Sequence, residues 1–209
     1  MTSPPVYRYH RIRNLDQWDD PVIHHVLWTP ATTGGVFHRT HRLVQFDQHQ
    51  AGFRASMEAQ AIWGGLVVVG ILAWMGGFSP DASTELWQRL GGLVLIGWSL
   101  WRLYRAHVPI RFDKQHGYFS CGWRVRKKAP DGMEVDRAVA LKRIYALQLV
   151  SKPTRLFRNE GQEIDNFELN LVLTQGIRMP VVAHSNLLRL RADAAQLGQF
   201  LDVPVWDAV

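Results

Sequence analysis

The chain lacks most of what announces a chemistry. It has one cysteine, Cys121, in 209 residues, which excludes an intramolecular disulfide framework and agrees with soluble parts in a reducing compartment. With no partner residue that would make it a nucleophile, Cys121 reads as a small buried hydrophobe. There is no glycine-rich phosphate loop, no nucleophile elbow and no Ser/His/Asp ordering. The first residues, Met1 to Arg13, lack the apolar run of a cleaved signal peptide. Histidines are present but badly spaced for a metal. On a strand, His38 and His41 fall on opposite faces, and no cysteine or carboxylate joins them and His49. Asp19 and Asp20 precede Pro21 as a turn or helix start. The expectation is a protein without catalytic residues, metal or cofactor.

What is present is apolar and concentrated. Ala61–Phe78 carries no charge, and Leu86–Tyr104 carries arginines only near its ends; seven residues separate them. At about 1.5 Å rise per residue the first run spans roughly 27 Å, close to the hydrocarbon core of a bilayer. The uncharged centre of the second, Leu90–Trp101, spans about 18 Å. It reaches further if Arg89 and Arg102 snorkel to the two interfaces. Trp63, Trp74, Trp87, Trp98 and Trp101 lie near the ends of the runs, where indoles favour headgroups. A soluble helix of this length shows a polar stripe, and Ala61–Phe78 shows none. The two runs therefore read as a transmembrane helical hairpin. Gly64, Gly65 and Gly70 on one run face Gly91, Gly92 and Gly97 on the other as candidate packing positions, within one chain or between copies in a homo-oligomer.

Charge sets the orientation. The connector Ser79–Glu85 has no Lys or Arg, whereas Arg39, Arg42 and Arg54 precede the first run and Arg102, Arg105, Arg111 and Lys114 follow the second. The bias predicts two spans in a bacterial inner membrane with both termini cytoplasmic. The net charge of +6 is then explained by topology and anionic lipid, and no nucleic-acid module is recognisable.

The flanking parts read as α+β. The first thirty residues are proline-interrupted and aromatic, with a short helix near Pro21–Leu27. Thr40–Asp47 and Gly52–Ser56 read as a strand, a turn and a returning strand. Val44-Gln-Phe-Asp-Gln-His-Gln-Ala-Gly-Phe53 resembles Ile110-Arg-Phe-Asp-Lys-Gln-His-Gly-Tyr-Phe119, either as an internal duplication or as the same hairpin chemistry met twice; strands on both sides of the membrane pair can join one sheet. Pro109–Asp113, Tyr118–Arg124, Ile144–Val150, Phe167–Leu173 and Ile177–Val182 read as strands, the last two as an antiparallel pair with one face buried. Ser151–Asp165 reads as a polar loop. Leu187, Leu190, Ala194, Leu197 and Leu201 fall at helical spacing, capped by Ser185 or Asn186 and stopped by Pro204, with Trp206 pinning the tail.

The predicted organisation is thus an N-terminal segment with a β-hairpin (1–60), a membrane hairpin (61–104, spans 61–78 and 86–104) and a cytoplasmic antiparallel-sheet domain closed by an amphipathic C-terminal helix (105–209). From Val108 to Trp206 the order of elements resembles the pleckstrin-homology-like modules attached to short membrane hairpins in bacterial membrane proteins. The Ile-Arg-Phe-Asp opening, the Glu-Leu-Asn-Leu-Val-Leu strand and the closing Leu190–Trp206 run carry the resemblance, though fewer strands are counted than the seven of that fold. It implies a scaffolding or binding role. The best candidate surface is the basic run Arg124, Arg126, Lys127 and Lys128 beside Trp123, with Arg102 and Arg105 nearer the membrane. This surface suits a protein partner or anionic headgroups. Two alternatives stand beside this adaptor role: an immunity protein that neutralises a toxin, and an accessory subunit of a larger membrane complex.

Overall fold

The computed structural model describes residues 9–12, 20–32, 38–76, 82–123, 138–155 and 163–209. They divide into two compact units, 1–54 with 109–209, and 55–108. The expected division into three successive domains is corrected by this: the segment before the helices and the segment after them build one α+β unit. The reason is strand pairing that spans the insertion.

In that unit, β2 (His41–Gln45), β3 (Gln50–Ala55), β4 (Ile110–Asp113), β5 (Tyr118–Cys121) and β6 (Ala138–Ala140) form one sheet in chain order. The pairs β3–β4, β4–β5 and β5–β6 are antiparallel. The two Phe-Asp phrases are therefore neighbours, with Gln50 opposite Asp113 and Phe53 opposite Ile110. Each aspartate does the same local work. Asp47 Oδ1 accepts the backbone N–H of His49 and of Gln50, both at 2.6 Å, and Asp113 Oδ1 accepts that of His116 at 2.9 Å. These are aspartate-closed turns.

The second sheet has the order β1 (Tyr9–Arg11), β10 (Val205–Asp207), β7 (Ile144–Arg155), β8 (Glu163–Leu173) and β9 (Arg178–His184). β10 is parallel to both neighbours, while β7–β8–β9 is antiparallel. Much of the expected Ser151–Asp165 loop is strand: β7 continues to Arg155 and β8 begins at Glu163. The alternation that ends at Val150 in the sequence is continued by pairing, Ser151 opposite Phe167 and Lys152 opposite Asn166.

One apolar core fills the space between the sheets. Phe53, Phe112 and Phe119 come from the first sheet, and Leu147, Leu149, Leu169 and Leu171 from the second. Leu190, Ala194 and Leu197 come from α4 (Leu187–Leu201). Asn186 caps α4 by accepting from Arg189 N at 3.0 Å. The far face of the second sheet has its own cluster, in which Ile12, Ile23 and Val26 pack on Ala146, Val172 and Trp206. Trp206 is thus a central strand residue rather than a pin on a loose tail. The short helix α1 (Pro21–His25) supplies Ile23; Asp20 caps it, and Pro21 takes the first helical position, where its missing N–H costs nothing.

The other unit is a pair of helices, α2 (Met57–Trp74) and α3 (Ala82–Ala106). Ser56 caps α2 by accepting from Ala59 N at 3.0 Å. The helices run antiparallel: the Arg102 guanidinium lies 4.7 Å from the centre of the Trp63 ring, and Gly70 and Trp74 approach Gly92. Among the described residues one helix, α2, is long and apolar enough to cross a membrane. α3 is longer, and Glu85, Arg89, Arg102 and Arg105 lie within it.

Two of the six candidate glycines do the packing. A Cβ on Gly92 would stand 2.6 Å from Gly70 O and 2.7 Å from Trp74 N, and one on Gly70 would stand 2.8 Å from Ile96 Cγ1. Gly64, Gly65, Gly91 and Gly97 meet nothing within 4 Å, so the expectation that all six line the contact is corrected to this one crossing. Gly92→Ala is expected to destabilise the helix pair by roughly 1–3 kcal/mol through overpacking. Gly91→Ala, one residue away, is expected to leave it unchanged or slightly more stable. Unfolding of both variants in mild detergent, followed by tryptophan fluorescence, checks the contrast.

Candidate functional site

The face of the second sheet turned away from the main core changes character along its strands. At one end it is apolar, under Ile23 and Val26. At the other it carries Gln148 and Lys152 from β7 and Asn166, Glu168 and Asn170 from β8, all at most 5% exposed. Pairing sets them side by side, Gln148 opposite Asn170 and Lys152 opposite Asn166. The expected antiparallel pair with one buried face is corrected here: β8 is buried on both faces, Leu169 and Leu171 on one and Glu168 and Asn170 on the other.

Residues 27–32 lie on this polar band as a strap, and the band reads their main chain. Glu168 accepts from Ala31 N at 2.8 Å and from Thr32 N at 3.1 Å, and the Thr32 hydroxyl donates to the same carboxylate. Lys152 Nζ donates to Thr32 Oγ1 and stands 3.8 Å from Glu168 Oε2. Gln148 Nε2 donates to Leu27 O at 3.1 Å, and the Arg178 guanidinium donates to Thr29 O. Tyr145 OH, bonded to Asp20 at 2.9 Å, holds the start of the segment.

Electrostatics follows from the burial. Burial pushes the Glu168 carboxyl up, but the hydrogen bonds from Thr32, Ala31 and the Asn170 amide outweigh it and leave the group below the usual carboxylate range. Glu168 is therefore an ionised, fully buried carboxylate. For Lys152, burial outweighs the attraction of Glu168 and holds the ammonium below the usual lysine range. Two acceptors of the band have no hydrogen-bond partner, Gln148 Oε1 and Asn170 Oδ1.

A second buried titratable group lies on the core side of β9. His184 is fully buried, and its Nδ1 accepts from Asn186 N at 3.2 Å, which places the proton on Nε2, an atom without a partner. Nearby, Arg39 pairs with Asp193 at 2.5 Å and Thr40 donates to Ala183 O at 3.0 Å. Burial, then the charges of Arg39, His41 and His38, push the imidazole down to about 4. Among the described residues no group of three His, Cys, Asp or Glu side chains is placed to hold a metal.

The surface singled out from the sequence fares unevenly. Arg124, Arg126, Lys127 and Lys128 lie outside the described residues. Trp123 is half-exposed just past β5. Arg102 stacks on Trp63, and Arg105 lies 5.6 Å from the centre of the Trp101 ring, so both flank the same end of the helix pair. The sequence does not single out the polar band. Its signal, the alternation Asn166, Glu168, Asn170 along an otherwise apolar strand, is also that of a solvated face. Comparison of the chain with protein-family models, with curated proteins and with solved structures finds no match.

Two outcomes test the electrostatics. Lys152→Met leaves Glu168 buried with its neutral donors alone and is expected to cost about 3 kcal/mol, the typical penalty for breaking a buried pair from one side; thermal unfolding in detergent measures it. For His184, the folded value of about 4 lies below the unfolded 6.5. Between those values the unfolded chain binds the extra proton. His184 thus contributes stability that is complete above pH 6.5 and is lost as the pH falls towards 4, about 3 kcal/mol in all. His184→Gln is expected to flatten that part of the stability–pH curve.

Proposed function

We propose that α2 and α3 are embedded in a bilayer and that they anchor the α+β unit as a non-enzymatic binding module for a protein partner. The observation that carries this reading is the surface of the helix pair. Seventeen of the twenty-one exposed large apolar side chains found among the described residues belong to residues 55–108, including Val68, Leu72, Trp74, Trp87, Leu93 and Trp98. Only Ala59 and Gly70 are buried in α2. A large apolar side chain left half in water forgoes roughly 1 kcal/mol. The set forgoes on the order of 10–20 kcal/mol, as much as the whole stability of an ordinary domain. Such a surface needs lipid or protein around it.

The ends of the pair support the orientation read from charge. Arg102 and Arg105 stack on Trp63 and Trp101 at one end, the arrangement of an interfacial belt. At the other end Glu85 pairs with Arg89, one helical turn away, which neutralises the only arginine there. The reading is a two-span inner-membrane protein with both termini in the cytoplasm. The pleckstrin-homology-like resemblance draws support from two successive antiparallel blocks followed by α4; the parallel strands β1 and β10 depart from it.

The test uses the single cysteine. In a Cys121→Ser background, Ser79→Cys in the connector is expected to react with a membrane-impermeant maleimide on intact spheroplasts. Cys121 in the unsubstituted chain is expected to react only after lysis. Recovery of the chain in the supernatant of lysed cells without detergent overturns the membrane reading.

A further inference from the structure

Sheet faces buried in a domain are normally apolar, because each uncompensated polar group costs free energy. Here five adjacent buried positions, Gln148, Lys152, Asn166, Glu168 and Asn170, are polar or charged. With Arg178 they hold the main chain of residues 27–32 at four points, two N–H groups on Glu168, one carbonyl on Gln148 and one on Arg178, and the Thr32 hydroxyl bonds both Glu168 and Lys152. The strap offers little side chain in return at its exposed positions; Leu27 is 67% exposed. This is how a groove reads an extended peptide, by backbone groups that any sequence possesses. The reading is also incomplete. The Asn170 amide group faces the Glu168 carboxylate, but its carbonyl oxygen lies fully buried and unused, and the acceptor of Gln148, directly opposite, is unused as well. Two buried acceptors side by side are complementary to the two N–H donors of one side-chain carboxamide.

We propose that the polar band is a recognition groove for an extended peptide segment bearing an Asn or Gln side chain. Residues 27–32 occupy it as an internal, imperfect ligand. A partner's segment displaces the strap, takes over the backbone contacts to Glu168, Gln148 and Arg178, and pairs its own carboxamide with Asn170. The internal strap is held at the high effective concentration of a tethered ligand, so it sets a threshold that only a better-matched segment passes. This deepens the reading of the α+β unit as a binding module and rests on it. It does not depend on whether the helices enter lipid, since the groove belongs to the other unit.

The test uses the full chain in mild detergent and fluorescent peptides with the sequence His25–Gly34. Weakening the strap exposes the groove, by Thr32→Ala, which removes the hydroxyl on Glu168, or by Ala31→Pro, which removes an N–H. The peptide is expected to bind either variant at least tenfold more tightly than it binds the unsubstituted chain. Adding Glu168→Gln to the Thr32→Ala chain is expected to reverse that gain. In an asparagine scan of positions 27–32 of the peptide, at least one substitution is expected to raise affinity further, and Asn170→Leu is expected to abolish that increment without lowering the thermal midpoint of the protein. Absence of binding to both strap variants overturns the proposal. So does binding indifferent to Glu168→Gln, a scan without any gain, or a gain that survives Asn170→Leu. None of these results bears on maleimide labelling, which tests the membrane reading separately.

Discussion

The pairing of β3 with β4 is the constraint on which the rest of the chain depends. Phe53 faces Ile110 and Gln50 faces Asp113, although α2 and α3, of 18 and 25 residues, lie between them in the sequence. Closing so long a loop costs little more entropy than closing a short one, because the cost grows only with the logarithm of length. What it demands is geometric. A segment that leaves from one strand and returns to its hydrogen-bonded neighbour has to come back to where it started, and two antiparallel helices of comparable length do so. The Gly70–Gly92 crossing, at which two backbones meet, lets that return be made by a close pair. An insertion of this kind leaves the α+β unit able to complete its core with residues from both sides of it: Leu43, Ala51 and Phe53 before, Phe112 and Phe119 after.

The same unit is closed a second time at its ends. β10 lies between β1 and β7 and is parallel to both, so the last strand of the chain is fixed by the first. Trp206 then has neighbours on every side: Ile12 from beyond β1, Ala146 and Val172 from the sheet, and Ile23 and Val26 from α1, with the Trp28 ring centre 6.1 Å away. The N-terminal segment is therefore a covering layer of the second sheet. Its apolar half is held by burial and its other half by charge-assisted hydrogen bonds to Glu168, which are individually stronger than neutral ones.

How much of this is legible in the sequence divides along physical lines. Local signals carry through: the strands at 110–113 and 118–121, the helix at 187–201 with its Asn186 cap, the short helix after Pro21, and the aspartate-closed turns after Phe46 and Phe112 all lie where period, capping and turn chemistry place them. Pairing between distant segments does not carry through. Nothing in Val205-Trp-Asp207 or Tyr9-His-Arg11 states that each will flank the other in parallel, because three residues are too few to show a period. Two-sided burial is illegible for a different reason. In Phe167-Glu-Leu-Asn-Leu-Val-Leu173 the polar residues alternate as they would on a solvated face, and only the strap, 137 positions away from Glu168 at Ala31, turns that face inward. The glycines show the same limit: six are equivalent by composition, and only the crossing point distinguishes Gly70 and Gly92.

The polar band is hard to account for as a device for holding the fold together. An apolar face under residues 27–32 would continue the Ala146, Val172 and Trp206 cluster and gain burial energy. A buried ion pair such as Lys152 with Glu168 is commonly no more stabilising than apolar residues of the same volume. The unused Asn170 and Gln148 side-chain carbonyls are a net cost of about 1–3 kcal/mol for each group left without a partner. Stability alone therefore favours removing all five residues. A surface that must instead recognise a main chain has no alternative to them, because backbone N–H and C=O groups are satisfied only by polar side chains when no strand edge is offered. Where Gln148, Glu168 and Asn170 lie, β7 is paired with β10 and β8 with β9 on their outer sides, so no edge is offered there. The cost of the band and its chemistry thus point the same way, to a face kept polar for what it holds.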